Sequence, residues 1–277
     1  MSLTVKAYAK INLWLDITGR RSDGYHTLNT VMRRIDLYDD VEVTTRSGSD
    51  ITVSCSSPDI PSDERNIAYK AAAAFIAETH KNIGADIRIV KRIPVGAGLG
   101  GSSADGAALL TALNELCGHR FDTSELCRIG ASLGADVPFC ITGGTARCTG
   151  IGEIMQPVGC ADFAVLGAVP PFECMTAAAY KRYDASPIPE KAGFDAFCGG
   201  IAADRAFLSE NMYNVFETLY DDDRINALRE SILAAGALGA RMSGSGSAVF
   251  GIFPDRASAE AASAKVDCKT KFVVDAI

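Results

Sequence analysis

The chain has 277 residues, 48% of them hydrophobic and 22% charged, with a formal net charge of −7. That balance fits one large or two modest globular domains and argues against a nucleic-acid partner, which needs a basic face. No apolar run approaches the roughly 20 residues of a membrane span. Lys10 and Asn12 stand where a secretory leader would be apolar, so a soluble cytoplasmic protein without a membrane partner is expected.

Residues 3 to 17 alternate, with Val5, Ala7, Ala9, Ile11, Leu13 and Leu15 against Lys6, Tyr8, Lys10, Asn12, Trp14 and Asp16. The pattern predicts a half-buried strand with Lys10 and Asn12 on its polar face. Asp23-Gly24 is a turn signal, and strands are expected over 28–36, 40–46 and 51–56. An Ala-rich helix follows from Asn66 to Thr79, then a strand over 86–92, a glycine loop and a helix over 103–117. Asp122 with Glu125 reads as a capping box opening a helix to about Leu133. Strands are expected over 139–148 and 163–169, and helices over 176–183, 194–208, 211–220 and 224–235. The end reads strand 238–242, turn, strand 248–253, helix 256–266 and strand 271–275. Strands gather early and helices late, so the class is α+β, divided into residues 1–158 and 159–277.

The nine cysteines (Cys55, Cys117, Cys127, Cys140, Cys148, Cys160, Cys174, Cys198, Cys268) include no pair closer than eight residues. Neither a CxxC nor a zinc-finger spacing exists, and core thiols without chemistry are expected. Structural duty is also expected of His80, His119 and Trp14.

The most informative segment is Pro94-Val95-Gly96-Ala97-Gly98-Leu99-Gly100-Gly101-Ser102-Ser103-Ala104-Asp105, between a strand and a helix. Glycines let the backbone turn sharply and approach a ligand, and a helix opening with bare N–H groups attracts an anion, most often phosphate. Gly96, Gly98 and Gly101 satisfy G-x-G-x-x-G, but the region about 20 residues on holds no strand ending in an acid, as a dinucleotide fold requires. No Gly-Lys pair exists for a Walker loop, and neither His-Arg-Asp nor Asp-Phe-Gly occurs.

This loop resembles the ATP-phosphate loop of the small-molecule kinases grouped with galactokinase, homoserine kinase, mevalonate kinase and phosphomevalonate kinase. Lys10-Ile11-Asn12-Leu13 and Met242-Ser243-Gly244-Ser245-Gly246-Ser247 fall where that superfamily keeps its other motifs. Gly24-Tyr25-His26-Thr27-Leu28 and Leu133-Gly134-Ala135-Asp136-Val137-Pro138-Phe139 are similar to the branch acting on a cytidyl-linked methylerythritol, in the non-mevalonate route to isopentenyl diphosphate. One departure lies at 100–105, where the family more often shows three glycines and then two serines.

The resemblance implies an ATP- and Mg²⁺-dependent kinase of two domains, with an N-terminal ribosomal-S5-domain-2-like ATP-binding domain. Its C-terminal domain would be ferredoxin-like α/β, with the active site in the cleft between them. It implies transfer to the substrate's 2-hydroxyl, with Asp136 as the base and Lys10 beside it, holding it ionised. Read alone, Asp136 is more readily a helix-end cap or turn residue, and Lys10 an outward-facing lysine. Residues 94–104, Asn66 and Lys91 would attend ATP, with Ser103 as a Mg²⁺ contact; Asn66 also reads as a helix N-cap and Lys91 as a strand flank. Asn12, Tyr25, His26, Thr176, Tyr180, Gly244, Ser245 and Gly246 would attend the substrate. In that reading Tyr25 and Tyr180 stack on the two faces of the cytosine and His26 bonds its edge. A sister kinase, acting on mevalonate, homoserine or a sugar, is the alternative, with a binding protein that catalyses nothing as a further one. A monomer or weak homodimer is expected.

Overall fold

The structure is a computed structural model that describes residues 1–79, 82–219 and 223–277. In chain order its elements begin with β1 (Ser2–Arg20), β2 (His26–Ser47), β3 (Ile51–Cys55), α1 (Ile67–Thr79), β4 (Ile83–Val90) and α2 (Gly101–Leu116). They continue with α3 (Thr123–Ala131), α4 (Val137–Thr142), β5 (Thr145–Thr149), β6 (Ile154–Pro157), β7 (Ala164–Val169) and α5 (Thr176–Ala185). Next come α6 (Phe194–Gly200), α7 (Arg205–Asn211), β8 (Tyr213–Asn214), α8 (Val215–Leu219) and α9 (Asp223–Ala234). The last are β9 (Gly239–Met242), β10 (Val249–Phe253), α10 (Arg256–Ser263) and β11 (Thr270–Asp275). The class is α+β, as the order of strand and helix patterns predicts.

The described residues form two compact units, and neither is contiguous in sequence. The first holds Met1–Ala9, Leu37–Val95 and Gly100–Gly143; the second holds Lys10–Asp36, Gly96–Leu99 and Gly144–Ile277. In the first unit, the end of β2 (Asp40 to Ser47) pairs antiparallel with β4, and β3 pairs parallel with β4. Helices α1, α2, α3 and α4 pack together there around Phe75, Leu109, Leu113 and Phe139, all buried. Phe75 meets Phe121 edge to face at 5.3 Å.

In the second unit, β11, β7, β10 and β9 form an antiparallel sheet in that order. Every residue of β10 is buried, because strands flank it on both sides and α9 and α10 pack on it. Its core gathers Leu15, Ile17, Leu166, Ile232, Val249 and Phe253. Trp14 lies 3% exposed among Phe197, Phe194 and Tyr213, at 5.1, 5.9 and 5.4 Å between ring centres. That is a structural role, as expected.

Four expectations about element type and extent need correction. The strands expected over 28–36 and 40–46 are one strand, β2. Asp39 and Asp40 look like a break in sequence, yet Asp39 turns inward and accepts hydrogen bonds from the backbone N–H groups of Arg92 and Ile93. Residues 137–142 are the helix α4 rather than the start of a strand over 139–148; Pro138 in its first turn favours the helix, and Gly143 ends it. The helix expected over 194–208 is two helices, since Gly199-Gly200 ends α6 and Asp204 caps α7 by accepting from Ala206 N. In 211–220, β8 precedes α8; Tyr220 and His80 lie outside the described residues. The capping box of Asp122 and Glu125 is present in full at α3. His119 (φ 54°) follows Gly118 in the turn that ends α2 and donates its backbone N–H to Asn114 O. The nine cysteines form no disulfide, and only Cys148 and Cys174 are buried; the other seven are half-buried, which corrects the expectation of core thiols.

Candidate active site

Residues Gly96 to Leu99 are strapped down within the second unit. Lys10 N donates to Leu99 O at 2.9 Å, and Ala248 N donates to Ala97 O at 3.1 Å. The Ser243 hydroxyl donates to Gly98 O at 2.9 Å. Gly98 has φ 76°, and a Cβ there would lie 2.1 Å from Ser243 O. Glycine is therefore required at 98 by conformation and by space. The second glycine motif is itself anchored, for Asn214 Nδ2 donates to Met242 O and Gly244 O at 2.7 and 2.8 Å. Ser245, 7% exposed, shares a hydrogen bond with Thr176 at 3.0 Å between hydroxyl oxygens.

In the first unit, α2 begins at Gly101 with Gly100 as its N-cap, left-handed at φ 73° and with no side-chain cap. The first helical bond found there is Ala104 N to Gly100 O, so the N–H groups of Gly101, Ser102 and Ser103 have no intrahelical partner. Three bare donors at the positive end of a helix suit an anion. The Ser103 hydroxyl faces Gly134, where a Cβ would stand 3.8 Å from it.

Lys91 sits against the same helix, its side chain 6% exposed. Its ammonium is 2.5 Å from Asp39 Oδ2 and donates to Asp105 Oδ2 at 2.7 Å. Burial pulls the ammonium down, and Asp105 and Asp39 together more than reverse it, so Lys91 stays above its ordinary value. Burial pushes Asp105 up to about 7, against the pull of Lys91 and with help from the Asp39 charge. Two carboxylates and one ammonium in a dry place favour keeping one proton on the pair.

The alternation of β1 does not give a wet face. Lys10 and Asn12 are 5% and 3% exposed, correcting the half-buried strand expected from the sequence. Lys10 Nζ donates to Asn12 Oδ1 at 2.7 Å, Asn12 Nδ2 to the Thr30 hydroxyl at 2.9 Å, and that hydroxyl to Trp14 O at 2.6 Å. The i,i+2 spacing puts Lys10 and Asn12 on one face. Asn12 aims the ammonium, and Thr30 from β2 aims Asn12.

Asp136 occupies the N-cap position of α4 but makes no capping bond with its side chain. Helix capping therefore does not account for a carboxylate there. Asn66 does cap: its Oδ1 accepts from Ala68 N at 2.8 Å while its Nδ2 donates to Pro61 O at 2.8 Å. Asn66 is 3% exposed, and both ends of its amide are engaged.

Tyr25 and His26 follow the Asp23-Gly24 turn, closed by Arg21 N donating to Tyr25 O and by Tyr25 N donating to Asp23 Oδ1. Tyr25 is 61% exposed, its ring open to solvent. His26 stacks on Tyr180 from α5, with ring centres 4.8 Å apart, and meets Tyr183 edge-on at 5.9 Å. Tyr180 also packs edge-on against Phe216 at 5.0 Å. His26 Nε2 lies 2.7 Å from Asp184 Oδ1, and Arg20 Nη1 lies 3.5 Å from Asp184 Oδ2.

A profile of the GHMP kinases N terminal domain matches residues 66–144, and one of the GHMP kinases C terminal domain matches 208–271. A 4-diphosphocytidyl-2-C-methyl-D-erythritol kinase of Clostridium novyi is 42% identical over 259 residues, covering 92% of each chain. The chain belongs to the 4-diphosphocytidyl-2-C-methyl-D-erythritol kinase family of GHMP kinases. Another such kinase, from Clostridium botulinum, is 42% identical over 98% of this chain and 97% of its own. A crystal structure of 4-(cytidine 5'-diphospho)-2C-methyl-D-erythritol kinase superposes at TM-score 0.77 with 29% identity, covering 99% of both chains. A homoserine kinase from Cytophaga hutchinsonii superposes at TM-score 0.76 with 18% identity, over 100% of this chain and 94% of its own, which shows a shared fold.

Several residues of these kinase motifs gain partners that sequence reading missed. Ser243 lies inside a recognised motif, but Thr30, Asn214 and Asp184 carry no local signal. Asp39 and Asp105 are ordinary acids until Lys91 is placed between them. Among the described residues, no three His, Cys, Asp or Glu side chains gather as a metal cage. No helix among them is long and apolar enough to cross a membrane.

Proposed function

We propose that this kinase transfers the γ-phosphoryl group of ATP to the 2-hydroxyl of 4-diphosphocytidyl-2-C-methyl-D-erythritol, on the route to isopentenyl diphosphate. The observation that carries the reading is 42% identity to kinases of that name across more than nine-tenths of the chain. Phosphoryl transfer to an alcohol needs little covalent chemistry; it needs positioning, a proton acceptor and charge neutralisation. The bare N–H groups opening α2 and the glycines from 96 to 101 would receive the ATP phosphates, with Pro94, Val95, Ala97, Leu99, Ser102 and Ala104 shaping the loop. Asn66 and Lys91 would stand by the nucleotide.

Asp136 would take the proton of the acceptor hydroxyl. Lys10, aimed by Asn12, would polarise that oxygen and offset the charge that develops on it. Tyr25 and Tyr180 would hold the cytosine by its faces and His26 by its edge. Thr176, Gly244, Ser245 and Gly246 would line the path of the diphosphate. Mg²⁺ would arrive with the nucleotide and not in a protein cage, with the Ser103 hydroxyl as the side chain able to meet it. Bound there, it would neutralise the phosphate oxygens. In this reading residues 1–158 form an ATP-binding and catalytic domain and 159–277 a substrate-side domain, and the enzyme works in the cytoplasm as a monomer or weak homodimer.

The deciding experiment is ADP release from Mg·ATP with 4-diphosphocytidyl-2-C-methylerythritol, run beside mevalonate, homoserine and galactose. Turnover with the cytidyl compound alone supports the proposal. Turnover with another acceptor keeps the kinase and discards the cytosine pocket.

A further inference from the structure

His26 is the residue that would read the edge of the base, yet a histidine edge is ambiguous. Each ring nitrogen either donates or accepts, and which does so is set by the partner of the other. In this structure the partner of Nε2 is a carboxylate, Asp184 Oδ1, at 2.7 Å. An ionised carboxylate only accepts, so the neutral ring must carry its proton on Nε2 and keep a lone pair on Nδ1. The ring is held in that orientation from three sides. Tyr180 stacks on its face at 4.8 Å, Tyr183 closes edge-on at 5.9 Å, and the His26 side chain is only 8% exposed. Arg20 Nη1, 3.5 Å from the other Asp184 oxygen, helps hold that carboxylate in place.

We propose that Asp184 is the positioning residue of the base pocket: it fixes His26 as the Nε2–H form, so that Nδ1 accepts from the exocyclic amino group of cytosine. Uracil carries a carbonyl oxygen at that position, and two acceptors would face each other with no proton between them. The inference rests on the cytidyl-substrate reading and adds to it the source of the selection. A stacking clamp takes any base; a single-acceptor edge admits the base with an amino group.

The test compares the cytidyl substrate with its uridyl counterpart in the wild type and in Asp184→Ala and Asp184→Asn. Long-range ¹⁵N–¹H spectra of the histidine rings are recorded alongside. The chain has three histidines, and His26→Gln assigns the signal of interest. The wild type should show His26 as Nε2–H and prefer cytidyl over uridyl by about 10²-fold or more in kcat/KM. Asp184→Ala should release the tautomer, raise the KM for the cytidyl substrate by about 10-fold and narrow the preference by a similar factor, with kcat within about 3-fold. If Asp184→Ala does not fold, Arg20→Ala, which only loosens the carboxylate, should give the same direction at smaller size.

An unchanged tautomer with unchanged preference in the Asp184 variants overturns the proposal. So does an equal fall in kcat/KM for both substrates, which would mark a merely structural acid. A wild type that ignores the cytidyl substrate overturns the reading of the substrate instead; the histidine spectra still decide whether Asp184 governs His26.

Discussion

Lys10 Nζ and Asn12 Oδ1 are 2.7 Å apart on a strand face that excludes water. A lysine held this way has its ammonium oriented by an amide that is itself fixed through Thr30. The entropy of a free lysine side chain is therefore lost on folding and not at the moment of reaction. Lys10→Ala and Asp136→Asn should each lower kcat by about 10²-fold or more, the low end for groups handling a proton in the transition state. Steady-state ADP release measures it, and near-full kcat in either variant would refute their assigned roles. Asn12→Ala should produce a smaller loss in the same direction, because the ammonium remains but wanders.

Asp105 ties stability to pH. Its carboxyl is held up to about 7 in the fold, chiefly by burial, against an ordinary value of 3.8. The folded chain thus binds a proton that the unfolded chain has already released. The stability this group contributes is fully present below about pH 4 and is lost as pH rises through about 7. Denaturant titrations across that window should show the decline in the wild type and a flatter line in Asp105→Asn. An identical slope in the two proteins would exclude Asp105 as its source.

Removing the cation of the same triad is the harsher change. Lys91→Met leaves Asp39 and Asp105 buried without their counter-charge, and should cost about 3–5 kcal/mol of unfolding free energy. Urea unfolding reads this directly. A loss under about 1 kcal/mol would mean that the triad is wetter than its burial indicates.

Gly98→Ala should destabilise the fold by about 2–4 kcal/mol, combining a left-handed backbone with a Cβ driven into Ser243 O. Thermal unfolding and ATP affinity should fall together. A folded variant that binds ATP normally would show that the loop can retreat from Ser243.

Tyr25→Ala tests the base pocket from its exposed side. The ring is open to solvent, so its removal should leave the melting temperature nearly unchanged. Losing one stacking face should weaken the cytidyl substrate by about 1–3 kcal/mol, or roughly 5- to 150-fold in KM. A drop in melting temperature with no change in KM would return Tyr25 to ordinary packing.

Local chemistry made some of this readable in the sequence. The glycine loop, the Asp23-Gly24 turn and the capping box of Asp122 and Glu125 each depend on residues a few positions apart, and each is present. Lys10 and Asn12 were legible as a pair on one strand face, but not as buried, since alternation cannot tell a wet polar face from one covered by other elements. The run 137–142 is short and apolar, and only Pro138 leaned toward a helix. Asp184 meets His26 across 158 positions, and Lys91 meets Asp39 and Asp105 from different elements. Such pairings are products of the fold, and no periodicity announces them.

The hydrogen bond from Ser243 to Gly98 closes a loop of 145 positions, and Ala248 N reaches back to Ala97 O in the same way. During synthesis, then, the stretch from 96 to 99 emerges long before the residues that pin it. A ribosome has made most of the protein by the time the nucleotide loop acquires its shape. A chain cut short before Ser243 keeps every glycine of that loop and lacks what holds it in place.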